Sequence, residues 1–332
     1  MMLASVRTAG RDAVAVAVGQ DRVIEIATLL AIGGQPEAEP PRSMRHLIDS
    51  GALMLERLRT ALADADPAEI DARSIVPEAW YPPIRSPGKI LAVAMNNSAS
   101  NARKISAPEH PAFFLKPPSC LIGHLEPIRI RSYYGSVHPE PELAVVIGSK
   151  VRDLPATEAL DAVFGYTIFD DITGNGMRAE DRFHYWAIYA SQDDPDKTEK
   201  VEQHLSYAAR YKGTDNFGVL GPWLVTREEI ADPDALDVRC TIHGEVIAED
   251  STRYYNYKVA EVLSFISYFQ TLHPGDIVSL GTAFKPGATR KSIHQADLQR
   301  VPGPIEISIA GLGTQSSPVE VESRELGPWR LP

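Results

Sequence analysis

The segment His138-Pro139-Glu140-Pro141-Glu142 runs straight into the apolar stretch 143–148. Glu140 and Glu142 stand two residues apart at the mouth of what reads as a strand. The two-residue side-chain period of a strand puts both carboxylates on one face. Carboxylates that close repel unless a proton or a cation lies between them. A third acid, Asp171, ends the stretch 164–171, FGYTIFDD, with Asp170 beside it. Three carboxylates from neighbouring strand ends would form an all-oxygen donor set. Such a set suits a hard cation, Mg²⁺, Mn²⁺ or Ca²⁺, with water or substrate completing the shell. On spacing alone the glutamate pair also suits a solvated strand edge, and Asp170-Asp171 a turn.

The surrounding pattern sets what can hold these residues. The nearly continuous apolar run 142–148 reads as a buried strand. Further strands are expected at 89–95, 111–117, 164–171, 221–226, 236–244, 276–282 and 305–311. Val259, Val262, Leu263, Ile266 and Phe269 recur at helical spacing and predict an amphipathic helix over 258–271, and 155–163 is a second helix candidate. Residues 174–212 read as a long polar stretch. Nearer the start, alternation around a Gly-Gln-Asp turn predicts a hairpin over 12–30. Residues 33–42 are a Pro-rich break, and Leu47, Leu55, Leu58 and Leu62 predict helix with Ser43 as a cap. Five prolines in 65–88 suggest a linker. The expected division is a small N-terminal unit over 1–85 and a catalytic unit over 86–332. Many strands and few helices indicate an α+β or mostly β fold.

Composition narrows the function classes. The chain has 332 residues, 44% hydrophobic and 23% charged, which is ordinary globular usage. No apolar run approaches the roughly 18 residues of a membrane helix, so no membrane partner is expected. Arg7, Arg11 and Asp12 interrupt any secretory leader. Cys120 and Cys240 lie far apart and form no CxxC, so neither a zinc ribbon nor a disulfide framework is expected and a reducing cytoplasm fits. The net charge is −11 and basic residues are scattered, which argues against a nucleic-acid partner. Gly174-Asn175-Gly176-Met177-Arg178-Ala179 fits GxGxxA, but it follows the acidic strand end outside any early βαβ unit and reads as a loop. His138-Pro139-Glu140 echoes the HxE of zinc deaminases without their PCxxC.

Several motifs share an order. HPEPELAVVIG at 138–148 is followed by GYTIFDDIT at 165–173. Lys212, Asp215 and Phe217 lead to Gly221-Pro222-Trp223-Leu224-Val225-Thr226. His243-Gly244-Glu245 precedes Ser251-Thr252, and Leu272-His273-Pro274-Gly275-Asp276-Ile277 precedes Gly281-Thr282. Ala310-Gly311-Leu312-Gly313 closes the series. Over residues 89–319 this arrangement resembles the fumarylacetoacetate hydrolase family. The resemblance implies a mixed β-roll core behind a small N-terminal α/β domain, and a homodimer. It implies Mg²⁺ (or Mn²⁺ or Ca²⁺) held by Glu140, Glu142 and Asp171. Lys212 matches the family's pocket lysine, where an ammonium could stabilise developing oxyanion charge or donate a proton. Thr282 matches the threonine that contacts substrate, and Arg178 is a candidate for binding a substrate carboxylate. The implied reaction is metal-dependent carbon–carbon hydrolysis of a 1,3-dicarbonyl, acylpyruvate-like acid. The alternatives are decarboxylation, isomerisation or hydration of a 2-oxo acid, or a non-catalytic member.

One motif departs. Hydrolytic members often carry NYxxHxxE after the first core strand, where the His and Glu activate water. Here Ser100 stands at the histidine's place and Arg103 at the glutamate's. Neither can act as that base near neutral pH. His138, two residues before Glu140, and His184, in the polar stretch, are the candidate replacements.

Overall fold

A computed structural model describes residues 1–19, 21–284 and 293–323. The apolar stretches become strands much where their patterns place them. In chain order these are β1 (Met2–Thr8), β2 (Arg11–Ala17), β3 (Val23–Glu25), β4 (Ala79–Tyr81), β5 (Ile90–Ala94), β6 (Ala112–Lys116), β7 (Pro141–Ile147) and β8 (Val163–Asp170). They continue with β9 (Arg182–Ala190), β10 (Thr198–Ser206), β11 (Leu224–Thr226), β12 (Asp237–Ile242), β13 (Glu245–Ser251), β14 (Ile277–Thr282), β15 (Ile305–Ile309) and β16 (Gly313–Ser317). The helices are α1 (Ile26–Ile32), α2 (Met44–Asp49), α3 (Gly51–Asp64), α4 (Pro67–Arg73), α5 (Asn175–Glu180), α6 (Ala209–Gly213) and α7 (Val259–Phe269). Strands outweigh helices, as an α+β, mostly β chain should.

Among the described residues a twelve-stranded sheet dominates, its main path running β3-β2-β1-β11-β8-β7-β14-β5-β6. Strand β7 lies in the middle, antiparallel to both β8 and β14. Every residue of β7 and β8 is buried, which is why both read as near-continuous apolar runs instead of alternating ones. A second sheet, ordered β13-β12-β15-β16, packs its apolar residues into the same core.

The N-terminal strands extend the large sheet. Met2 pairs with Val225 and Leu3 with Leu224 across β1 and β11. Helices α1 to α3 then cover one face, burying Leu29, Leu47 and Leu58 beside Leu3 and Ile24. Ser43 caps α2, accepting a hydrogen bond from His46 N at 3.1 Å. The single helical pattern is split at Gly51, whose φ of 71° a non-glycine residue rarely adopts.

Three expectations need correction. Residues 65–88 are not a bare linker: they hold α4, capped by Asp66, and β4, which pairs with β1. The helix candidate at 155–163 is a 3₁₀ segment, Ala156–Ala162. The stretch 174–212 is structured throughout, with GxGxxA opening α5 and residues 182–206 forming the long hairpin β9–β10. No helix of the described residues is long and apolar enough to cross a membrane.

Candidate metal centre and substrate pocket

Strand register assembles the three acids. Pro141 sits opposite Asp170 across β7 and β8, so Asp171 comes level with Glu140, and Asp171 N donates to Glu140 O at 3.0 Å. Glu142, one strand period on, points the same way as Glu140. One carboxylate oxygen from each of Glu140, Glu142 and Asp171 can be chosen so that all lie within 4.8 Å of one another. On the far side of β7, Glu142 is opposite Thr282 of β14. Ser279 and Gly281 N, both from β14, donate to Glu142 Oε2.

Two ammonium groups face this cluster. Lys212 Nζ, on α6, lies 2.6 Å from both Glu140 Oε2 and Asp171 Oδ2. Lys116 Nζ, at the end of β6, donates to Asp171 Oδ1, to Lys212 O and, at 2.9 Å, to Phe217 O. Burial alone would lower the pKa of Lys212. The carboxylates of Asp171, Glu140 and Glu142 outweigh it and hold the side chain charged, above the ordinary lysine range. Burial, and then the charge of Asp171, push Glu142 well above the usual carboxylate range. Burial likewise lifts Asp170 to about 7, although its Oδ1 accepts Glu140 N at 2.8 Å.

The donor set fits a divalent cation. Three carboxylates converge, one is driven toward protonation by burial and by its neighbours, and a lysine ammonium already serves as their counter-ion. A divalent ion relieves the same crowding with hard oxygen ligands.

The acids open onto a cavity of about 350 Å³. Of the residues singled out from sequence, Glu140, Glu142, Asp171, Lys212, Arg178 and Thr282 all line it. Arg178, on α5, places its guanidinium carbon 5.9 Å from the Tyr211 ring centre at the cavity wall. Ser100 also lines it, and its Oγ donates to Asn97 Oδ1 at 2.8 Å. The side chain of Arg103 lies outside the described residues.

The two histidines go elsewhere. His138 is fully buried and stands behind Glu140. Asn175 Nδ2 donates to its Nδ1 at 3.0 Å, which leaves the ring proton on Nε2, 3.2 Å from Glu140 Oε1. It orients a carboxylate and does not line the cavity. His184 is not brought to the cavity. It lies on the exposed β9–β10 hairpin, stacked on His204.

Sequence reasoning missed Lys116, Asn175 and Ser279. Lys116 had a signal: a lone lysine inside the apolar stretch 111–117, where burial demands an acidic partner. Asn175 had none, because its role depends on where α5 docks.

Residues 89–320 match the family model for the C-terminal domain of fumarylacetoacetate hydrolase. The chain is 30% identical over 253 residues to the mitochondrial oxaloacetate tautomerase FAHD2A of Bos taurus, covering 76% of this chain and 72% of that one. A maleylpyruvate hydrolase structure from Sphingobium sp. SYK-6, in complex with manganese(II) and pyruvate, superposes with a TM-score of 0.65 at 25% identity, over 97% of this chain and 99% of that one. A 5-carboxymethyl-2-hydroxymuconate delta-isomerase from Mycobacterium smegmatis superposes with a TM-score of 0.64 at 25% identity, over 97% and 100%. Relatives thus include a hydrolase, an isomerase and a tautomerase. The chain belongs to the fumarylacetoacetate hydrolase family.

Proposed function

We propose that this protein is a divalent-metal-dependent enzyme that moves a proton at the carbon beside the keto group of a 2-oxo acid, as a tautomerase or isomerase. Glu140, Glu142 and Asp171 are the proposed ligands of Mg²⁺, with Mn²⁺ able to substitute. When bound, the ion supplies Lewis-acid polarisation of the substrate's keto and carboxylate oxygens.

The chain's own groups do the rest. Lys212 Nζ holds a proton and a positive charge at the edge of the carboxylate cluster, where developing oxyanion charge is best stabilised. Arg178 offers a guanidinium to a second carboxylate of the substrate, and Thr282 a hydroxyl. His138 and Asn175 keep Glu140 aimed inward. Phe114 and Phe284 give the cavity apolar wall that limits water.

The observation that carries this reading is Ser100. It lines the cavity, at the position that the motif resemblance gives to the water-activating histidine of hydrolytic members, and its Oγ donates to Asn97 Oδ1. Enolisation needs no activated water as nucleophile. A C3–H bond breaks and an enol O–H bond forms: Lys212 Nζ gives its proton to the keto oxygen while the C3 proton passes to solvent water in the cavity, from which Lys212 is reprotonated. The 30% identity to an oxaloacetate tautomerase supports the same reading. Carbon–carbon hydrolysis of an acylpyruvate-like acid is the second reading, supported by the likeness to a maleylpyruvate hydrolase over nearly the full chain.

Proton NMR in D₂O with Mg²⁺ or Mn²⁺ separates them, using 2-oxo diacids and acylpyruvates as substrates and Glu142→Ala as the control. Accelerated proton exchange at C3, abolished in Glu142→Ala, is expected. Pyruvate plus a new carboxylic acid would establish hydrolysis instead. Rates equal to those of Glu142→Ala across the panel would remove both readings.

A further inference from the structure

We propose that the β9–β10 hairpin carries a second metal site, formed by His184, His204 and Glu202, that takes a borderline transition ion such as Zn²⁺, Ni²⁺ or Cu²⁺. The strand register puts the three side chains on one face. His184 is directly opposite His204, and Glu202, two residues before His204, is opposite Trp186. The two imidazoles stack with centres 4.1 Å apart and planes 13° apart. One carboxylate oxygen, Glu202 Oε1, meets both rings: it contacts His184 Nε2 and lies 3.5 Å from His204 Nε2. The three donor atoms fall within 4.8 Å of one another. A tetrahedral ion with bonds of about 2.0–2.1 Å needs its ligands roughly 3.4 Å apart. Stacked rings hold their lone pairs side by side, so ligation requires the two imidazoles to turn out of the stack and aim at one point. The side chains are 59%, 50% and 72% exposed for His184, Glu202 and His204, which leaves room for that turn.

The donor types set the selectivity. Two imidazoles and one carboxylate favour Zn²⁺, Ni²⁺ or Cu²⁺ over Mg²⁺ or Ca²⁺, the reverse of the all-oxygen cluster in the cavity. The site also answers a structural need. The hairpin pairs only with itself among the described residues, and a two-stranded ribbon is marginal on its own. Its other face carries Phe183, Tyr185, Tyr189 and Leu205, all exposed, so ligation on the histidine face leaves that face untouched. An ion joining His184 on β9 to Glu202 and His204 on β10 cross-links the strands.

Electron paramagnetic resonance of the full-length protein with one equivalent of Cu²⁺ tests the site, because imidazole nitrogens split the signal and carboxylates do not. Nitrogen splitting is expected in the native protein and in Glu142→Ala, and its loss in the double variant His184→Ala/His204→Ala. Absence of splitting in the native protein, or its persistence in the double variant, would overturn the site. A second readout uses limited proteolysis of the 191–197 turn. At Zn²⁺ about ten times the dissociation constant, cleavage should slow roughly tenfold in the native protein and not in the double variant. Equal rates in the two proteins would overturn the cross-link.

Discussion

Asp171 takes a different lysine on each carboxylate oxygen, Lys116 on Oδ1 and Lys212 on Oδ2, and that asymmetry separates their roles. Lys116 is 1% exposed, and its three bonds tie β6 to α6 and to the end of β8. Lys116→Met leaves a buried carboxylate short of one cation and two carbonyls short of a donor. It should cost about 3 kcal/mol, read as a lowered urea midpoint at unchanged slope. Lys212 faces the cavity. Lys212→Met should bind Mn²⁺ at least as tightly in calorimetry, because a competing cation is gone, while turnover falls about 100-fold or more. Loss of the metal in that variant would make the lysine structural. Lys212 was legible from its motif; for Lys116 the sequence signalled burial beside an acid but not which acid, since what an ammonium touches in a buried strand depends on three other segments.

At the scale of elements, the placement of α5 sets the support of Glu140 Oε1, the oxygen that Lys212 does not take. Its Asn175 reaches His138, and His138 reaches Glu140. The glycines of the GxGxxA stretch serve that docking, not a dinucleotide. A Cβ on Gly176 would meet Tyr134 O at 2.3 Å and Gly135 Cα at 2.6 Å. Gly176→Ala must push α5 away from Tyr134, at about 1–3 kcal/mol. Mn²⁺ affinity should fall along with the melting temperature; unchanged affinity would show that α5 does not support Glu140. The hairpin within the polar stretch 174–212 was not legible for a related reason. Both faces of the β9–β10 hairpin are exposed, so no burial demand writes an apolar/polar alternation into it.

Across the whole molecule, the N-terminal segment is joined to the rest by shared strands and by an aromatic contact. Trp80 of β4 packs edge-on against Trp223 at 5.0 Å and against His124 at 5.6 Å. Burial lowers the His124 pKa from 6.5 to about 4, and Ser316 N donates to its Nδ1 at 2.9 Å, which also requires the neutral ring. The folded state therefore binds this proton more weakly than the unfolded chain. The stability it contributes is complete above pH 6.5 and is lost as pH falls toward 4, with a slope of at most about 1.4 kcal/mol per pH unit. Melting temperatures of the native protein should drop through that window more steeply than those of His124→Gln. Parallel curves would show that His124 does not titrate at this joint.

The order of motifs along the chain, the apolar runs of the central strands and the period that aligns Glu140 with Glu142 were all readable before folding. Each is local: it depends on a handful of consecutive residues and on one backbone repeat. Tertiary structure decided the rest. Only strand register could bring Asp171 level with Glu140 and Thr282 opposite Glu142. Only docking could turn His138 into a support for Glu140 and carry His184 out to a solvent-facing hairpin beside His204. A histidine's role depends on what stands within about 3 Å of its ring nitrogens. Asn175, which reaches the His138 ring, lies 37 positions away, and Glu202, which reaches the His184 ring, lies 18 away.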